Sequence, residues 1–325
     1  MDKIIIFLSM ILIIASSCSD DEDGNSNGMD YKEEMREFVI GISQWAKYEN
    51  PDFLVIPQNG AELITLNGEE DGPPHAEYLN SIDGNGQEDL FYGYDNDDEP
   101  TPANEREYLQ SFLDISKDHG NIILVTDYCS TSSRMDDSYA QNHSNGYISF
   151  AADHRELDHI PGYPDHPYQE NHEQVNTLSG VKNFLYLINP EQYQSRLEFI
   201  QAVTSSNYDL VIMDLFFQDG TAFTAEEIDQ LRSKANGGKR LVVCYMSIGE
   251  AENYRYYWNT AWYNEKPVWL DGENPDWEGN YKVKYWHEDW QYIIYGSDDS
   301  YLTRILNAGF DGVYLDIIDA FEYYE

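Results

Sequence analysis

Short apolar runs alternate with amphipathic stretches from residue 31 to residue 325, a pattern typical of an α/β protein with a parallel sheet. Each apolar run has the length and composition of a buried strand. The predicted strands are 53–57, 90–94, 121–126, 147–152, 184–188, 210–213, 241–250 and 311–315. The predicted helices are 31–48, 103–118, 134–143, 191–204, 225–236 and 299–307.

This number of strands over this length predicts a (β/α)8 TIM-type barrel formed by residues 31–325. The alternative is an open doubly wound sheet. A Gly-rich phosphate loop, which many such sheets carry, follows none of the predicted strands.

Three of the predicted strands end in an acidic residue: Asp214, Glu250 and Asp316. The carboxyl ends of barrel strands form one cup, and a carboxylate there is costly unless solvent, a partner or a ligand meets it. Glycoside cleavage needs one protonated and one ionised carboxyl group. We therefore predict Asp316 and Glu250 as the catalytic pair, with Asp214 orienting these groups or the substrate. For each acid alone, a helix cap or a local ion pair is the alternative.

A long insertion rich in tyrosine and tryptophan, residues 254–297, separates the last two predicted strands. Aromatic rings of this kind can stack on sugar rings, or they can build a small core of the insertion itself. The cup and this insertion predict substrate contacts from Asp319, Tyr245, Arg255, Trp286, Asn59 and Asp127.

Residues 1–17 have the basic, apolar and small-residue regions of an export signal. Cys18 follows a box that resembles the bacterial lipoprotein cleavage site, so we expect lipidation of Cys18 and a flexible acidic tether over 18–30. The expected location is extracytoplasmic, with the lipid in a bacterial outer membrane. The alternative is ordinary secretion with a chance cysteine.

The net charge of −41 argues against nucleic acid or an anionic membrane surface as a partner. Membrane contact is expected through the N-terminal lipid alone. The acidity indicates a solvated surface or a preference for cationic substrates. No cofactor and no metal are expected, because His154, His159, His166 and His172 match no standard zinc spacing. Cys129 and Cys244 are expected as buried free thiols, with a disulfide as the alternative.

Three segments carry a family resemblance: Ser247–Arg255, Gly279–Trp286 and Gly309–Ala320. They resemble a family of glycoside hydrolases linked to the endo-α-1,4-polygalactosaminidases and once described as cysteinyl-tRNA synthetase-related. The resemblance covers at least residues 182–325, and Ile56–Gly60 looks like the family as well. It implies a TIM-type barrel and endo-acting hydrolysis of an α-linked, galactosamine-type polysaccharide or oligosaccharide.

The chain departs from the family pattern in two residues and in the order of one segment. Tyr314 stands where characterised members carry a glutamate, and Asn253 stands where an acid is common. The Pro-Gln-Asn-Gly segment, usually downstream of the Leu-Asp strand, lies near the start of this chain. A circular permutation would explain that order. The alternative functions are a non-catalytic carbohydrate-binding surface lipoprotein and a structural surface protein.

Overall fold

Parallel strands alternate with helices along most of the chain. The computed structural model describes residues 28–325. The strands are β1 (Leu54–Pro57), β2 (Gly84–Glu88), β3 (Ile122–Tyr128), β4 (Ile148–Ala152), β5 (Phe184–Tyr186), β6 (Leu210–Met213), β7 (Leu241–Ser247), β8 (Glu250–Glu252), β9 (Leu270–Glu273), β10 (Asn280–Val283) and β11 (Gly312–Asp316). The helices are α1 (Tyr31–Glu49), α2 (Ala76–Ser81), α3 (Ala103–Asp118), α4 (Ser132–Ser144), α5 (Arg196–Thr204), α6 (Ala225–Leu231), α7 (Glu288–Ile294) and α8 (Tyr301–Ala308).

The parallel strands form two sheets, ordered β1-β11-β7-β6-β5 and β2-β3-β4. A single parallel bridge between Gln58 and Gly86 links β1 to β2. No hydrogen-bonded ladder joins β4 to β5 within residues 28–325. The prediction of an α/β fold with parallel sheets is confirmed, and closure into a complete barrel stays a prediction.

The helix predictions agree with the structure at most positions, and α3 has the predicted bounds. The capping box from Thr224 to Glu227 starts α6 as expected. The prediction that α6 runs to the glycines at 237–238 is wrong: the helix ends at Leu231, and Ser233 then pairs with Lys239 in an antiparallel bridge.

The predicted strand at 90–94 is also wrong, because the second parallel strand is the polar segment Gly84–Glu88. Leu90, Phe91 and Tyr92 instead pack in a separate small apolar cluster. The strand needs glycine for close packing: a Cβ at Gly86 would lie 2.0 Å from the Tyr314 hydroxyl oxygen. A Cβ at Gly84 would lie 2.5 Å from the carbonyl oxygen of Ile122.

The aromatic insertion contains β9, β10 and helix α7, and its two strands form a three-stranded antiparallel sheet, ordered β8-β10-β9, with β8, which directly precedes the insertion. Trp258, Trp262, Trp269 and Trp290 form a chain of ring contacts with centroids 5.0 to 5.2 Å apart, and Trp269 and Trp290 are buried. The insertion therefore has a core of its own. Trp277 and Tyr254 remain exposed.

The predicted signal (1–17) and Cys18 lie outside the described residues, as does most of the predicted tether. Of the helices within 28–325, none combines the length and apolarity needed to cross a membrane. Cys129 and Cys244 are buried free thiols, as expected.

We predict that Gly86→Ala lowers the free energy of unfolding by about 1–3 kcal/mol, because its methyl group would collide with the packed Tyr314 ring. Urea denaturation measures the change. Gly272→Ala is the matched control, since a Cβ there meets open space. Equal stability of the two variants would contradict the packing of Tyr314 against β2.

Candidate functional site

Asp316, the last residue of β11, is half-buried at the carboxyl end of the parallel strands. The Tyr245 hydroxyl on the neighbouring strand β7 donates a hydrogen bond to its Oδ2 at 2.6 Å. The Gln58 side-chain amide, just beyond β1, donates to its Oδ1 at 3.2 Å. Each strand neighbouring β11 thus supplies one donor.

Glu88, at the end of β2, is the second carboxylate of the site. Its Oε2 accepts hydrogen bonds from Gln58 Nε2 at 2.6 Å and from Asn59 Nδ2 at 3.1 Å. The Tyr128 hydroxyl donates to its Oε1. Three side chains therefore hold the carboxylate of Glu88 in place.

Gln58 joins the two carboxylates, because its Nε2 contacts both Glu88 and Asp316. The Tyr186 hydroxyl donates to Gln58 Oε1 at 3.0 Å, which orients the amide so that its nitrogen faces the acids. Gln58 itself is buried, whereas Glu88 and Asp316 are half-buried. Because one nitrogen contacts both, the two bridged oxygens lie no more than about 6 Å apart, which is shorter than the ~6.5–9.5 Å carboxyl separation of inverting glycosidases.

Burial raises the pKa of Asp316 to about 8, and the negative charges of Glu88 and Asp319 act in the same direction. The hydrogen bond from Tyr245 opposes this shift. Burial also raises the pKa of Asp319 to about 7, with contributions from Glu322 and Glu88. Asp316 is therefore mainly protonated at neutral pH, as a general acid must be.

Glu250 is fully buried, and three side chains donate hydrogen bonds to its carboxylate. Asn274 Nδ2 and the Tyr323 hydroxyl donate to its Oε1 at 2.8 and 3.0 Å, and Asn280 Nδ2 donates to its Oε2 at 3.2 Å. These contacts tie β8 to β10 and to the segment after β11. Glu250 therefore has no surface open to a substrate in this structure.

Asp214 lies in an ion pair with the buried Arg255, with contacts of 2.8 and 2.7 Å. Arg255 also contacts Glu252 at 2.5 Å. Together these residues fasten the end of β6 to the aromatic insertion. The arrangement corresponds to the local ion pair that was the alternative for Asp214.

Two predicted substrate contacts lie away from the carboxylate pair. Asp127 is fully buried and accepts hydrogen bonds from the backbone N–H groups of Phe91 and Tyr92 and from the side chains of Ser138 and Asn142. Burial raises its pKa. Trp286 is half-buried and packs against Tyr31, Tyr285 and Tyr324.

Of the predicted residues, the structure brings Asp316, Tyr245, Asn59 and Asp319 together. Sequence reasoning missed Glu88, because it ends a polar strand that the apolar pattern did not indicate. Gln58 was visible only as part of the Pro-Gln-Asn-Gly segment. Tyr128 and Tyr186 gave no separate signal, since strand-end tyrosines are common in cores.

An acidic depression of about 280 Å³ opens beside Glu88 and Asp319. Its wall carries six carboxylates and the rings of Tyr94, Tyr108 and Phe321. Within the described part of the chain, no lysine or arginine lines it, but Lys32 pairs with Glu62 and Arg155 pairs with Asp89 behind the wall. The carboxylates are Glu62, Glu88, Asp89, Glu105, Asp319 and Glu322.

Parallel strands that present paired carboxylates at their carboxyl ends are a common framework of carbohydrate-cleaving α/β enzymes. Residues 182–324 match the model of a family described as Glycoside-hydrolase family GH114, which is the family of the endo-α-1,4-polygalactosaminidases. The resemblance seen in the sequence is therefore confirmed over these residues and supports glycoside hydrolase activity. The match includes Asp316, whereas Gln58 and Glu88 lie outside it.

Curated relatives from three organisms also match. An uncharacterized protein of Methanocaldococcus jannaschii is 40% identical over 158 residues, 48% of this chain and 42% of the relative. One of Thermotoga maritima is 39% identical over 38% of this chain and 36% of its own length. One of Deinococcus radiodurans is 43% identical over 38% of this chain and 37% of its own length. The chain thus spans less than half the length of these relatives.

We predict that Asp316→Asn changes the pH dependence of stability. The aspartate has a pKa near 3.8 when unfolded and about 8 when folded. Its contribution to stability is therefore complete below pH ~4 and is lost as the pH rises to ~8. The melting temperature of the variant, relative to the original protein, should rise over this interval in thermal unfolding curves.

Asp118→Asn is the control for this experiment, because Asp118 is exposed at the end of α3. Its difference from the original protein should stay nearly constant over the same pH interval. If the melting-temperature difference between Asp316→Asn and the original protein also stays constant over this pH interval, the raised pKa of Asp316 is contradicted.

Proposed function

We propose that this protein is a glycoside hydrolase of the polygalactosaminidase type, with Asp316 as the general acid and Glu88 as the nucleophile. The observation that carries the proposal is the contact of one buried amide, Gln58, with both carboxylates. The two acids have different surroundings: burial raises the pKa of Asp316 to about 8, whereas three side chains donate hydrogen bonds to the carboxylate of Glu88. A glycosidase needs this division of roles.

In the proposed reaction, Asp316 protonates the glycosidic oxygen as the bond to the anomeric carbon breaks. Glu88 attacks that carbon and forms a glycosyl ester, and water then releases the sugar with Asp316 acting as the base. The short separation of the two acids favours this retaining route over the inverting one, which requires about 6.5–9.5 Å. The first product of an α-linked substrate would then be the α anomer, which proton NMR detects.

The sequence-based choice of Glu250 as the second catalytic acid is replaced in this proposal by Glu88. Glu250 is fully buried, and all its described contacts are hydrogen bonds within the protein. We propose that it positions Tyr323. The Asp214–Arg255 pair likewise holds the insertion in place.

The proposed framework is a (β/α)8 barrel. The pairing of β1 with β11 and the bridge from β1 to β2 support it. We also propose that the protein is exported and anchored by lipid at Cys18, on the strength of residues 1–18. Cell fractionation of a Cys18→Ala variant checks this, since the variant should leave the membrane fraction.

A cationic, partly deacetylated galactosamine polymer is the proposed substrate, because carboxylates line the depression beside Glu88. Ammonium groups on the sugar would be attracted to this wall, and salt would screen the attraction. We predict a lower KM for the partly deacetylated polymer than for the fully acetylated one, with the difference shrinking at high salt. Assays of reducing-end release measure the KM for each polymer at low and at high salt. Equal KM values at low salt would contradict the charge preference.

We predict that Asp316→Asn and Glu88→Gln each lower kcat by about 10²–10⁴-fold, because each removes a proton donor or a nucleophile from the reaction. Asp118→Asn should keep the original activity. Glu250→Gln should lose less than either active-site variant. If Glu250→Gln lowers kcat as much as Glu88→Gln does, the assignment of the second catalytic acid to Glu88 is contradicted in favour of Glu250.

A non-catalytic carbohydrate-binding protein is the second candidate, and the residue at position 314 favours it. Tyr314 is fully buried, and its hydroxyl makes no hydrogen bond, so this residue cannot replace the glutamate that the family resemblance implies. A binder would hold the oligosaccharide in calorimetry yet release no reducing ends. An enzyme would release them, and Asp316→Asn would bind without turnover.

A further inference from the structure

A second cluster of ionisable side chains lies in the turn after β4, formed by Asp153, His154, Asp158 and His159. The two imidazole rings stack with centroids 4.3 Å apart. Asp153, His154 and His159 each offer one possible metal-ligand atom, and these three atoms lie within 4.8 Å of one another. Histidine spacing along the chain did not indicate this arrangement, because the turn rather than a helix brings the rings together.

Asp158 orients both rings. Its Oδ1 contacts His154 Nε2 and His159 Nδ1, each at 2.7 Å. Its other oxygen accepts a hydrogen bond from Gln192 Nε2 at 2.7 Å, which holds the carboxylate in place. In metal sites, a carboxylate acceptor of this kind orients the ligand histidines by accepting the N–H that does not face the metal.

The remaining ring nitrogens face Asp153. His154 Nδ1 lies 2.8 Å from Oδ1, and His159 Nε2 lies 3.2 Å from Oδ2. Both nitrogens of each ring thus lie against a carboxylate oxygen. A neutral imidazole has only one N–H, so in each neutral ring one nitrogen lone pair points at a carboxylate. This contact is repulsive unless a cation lies between the groups or both stacked rings are charged.

A bound cation satisfies this geometry while both rings stay neutral, so the stacked rings do not repel each other. Two imidazole nitrogens and one carboxylate oxygen are ligands typical of Zn²⁺. The side chains of Asp153, His154 and His159 are each about one-third exposed, so an ion can reach them from solvent. Three protein ligands would leave a fourth position for water.

We propose that Asp153, His154 and His159 form a Zn²⁺ site, with Asp158 as the positioning residue that orients both histidines. The site lies outside the carboxylate pair and does not depend on the proposed hydrolase activity. A bound ion would fasten His159 to Asp153 and His154, the two residues that directly follow β4 and begin the loop formed by residues 153–176.

Isothermal calorimetry with ZnCl₂ tests the site, using the full-length protein after removal of metals with a chelator. At neutral pH we expect saturable binding of one ion per chain. Asp153→Asn, His154→Ala and His159→Ala should each weaken binding by at least about 10-fold, and Asp158→Asn by about 10–100-fold. His166→Ala is the matched control, since this exposed histidine lies in the same loop and contacts Glu170 instead.

Thermal unfolding provides a second readout that does not depend on activity. Zn²⁺ should raise the melting temperature of the original protein and of His166→Ala, because it binds the folded state, and should do so less for the other variants. Circular dichroism checks that each variant is folded. Asp153→Asn removes the charge with almost no change in side-chain shape, so weaker binding by this variant is not explained by lost structure. Non-saturable binding, or His159→Ala binding like the original protein, would overturn the proposal.

Discussion

The organisation of the site depends on one buried hydrogen-bonding group, the side-chain amide of Gln58. Two carboxyl groups near each other in a poorly solvated place repel when both are ionised. The amide nitrogen reduces that repulsion, because it donates to both of them, and Tyr186 fixes its direction. The protein thereby keeps the two acids together in a poorly solvated place.

Large parts of the fold were predictable from the sequence. Strands such as β6, and the first four residues of β7, are continuous apolar runs, because parallel strands are buried on both faces. The amphipathic pattern and the capping box located α3 and the start of α6. The strand Gly84–Glu88 was not predicted, because its glycines are required by close packing against Tyr314 and Ile122. Both partners are distant in sequence, so no local pattern indicates this packing.

The candidate site was less predictable than the fold. Asp316 could be found because an acid at the end of an apolar run is unusual. The burial of Glu250 could not be predicted, because it depends on contacts with Asn274 and Asn280 in the aromatic insertion. The strands of that insertion are short and polar, so the apolar pattern did not indicate them. The pairing of Asp214 with Arg255 also joins segments 41 residues apart in the chain. Side chains that meet through such long connections need the three-dimensional structure.

The pairing of β1 with β11 has a consequence for folding. Gln58 and Asp316 are 258 positions apart, so their contact closes a very long loop and ranks among the least local in the molecule. Formation of the β2-β3-β4 sheet needs no such closure. A partly folded chain could therefore have much of its secondary structure while lacking the carboxylate pair. Recovery of the site during refolding would then lag behind recovery of helix content.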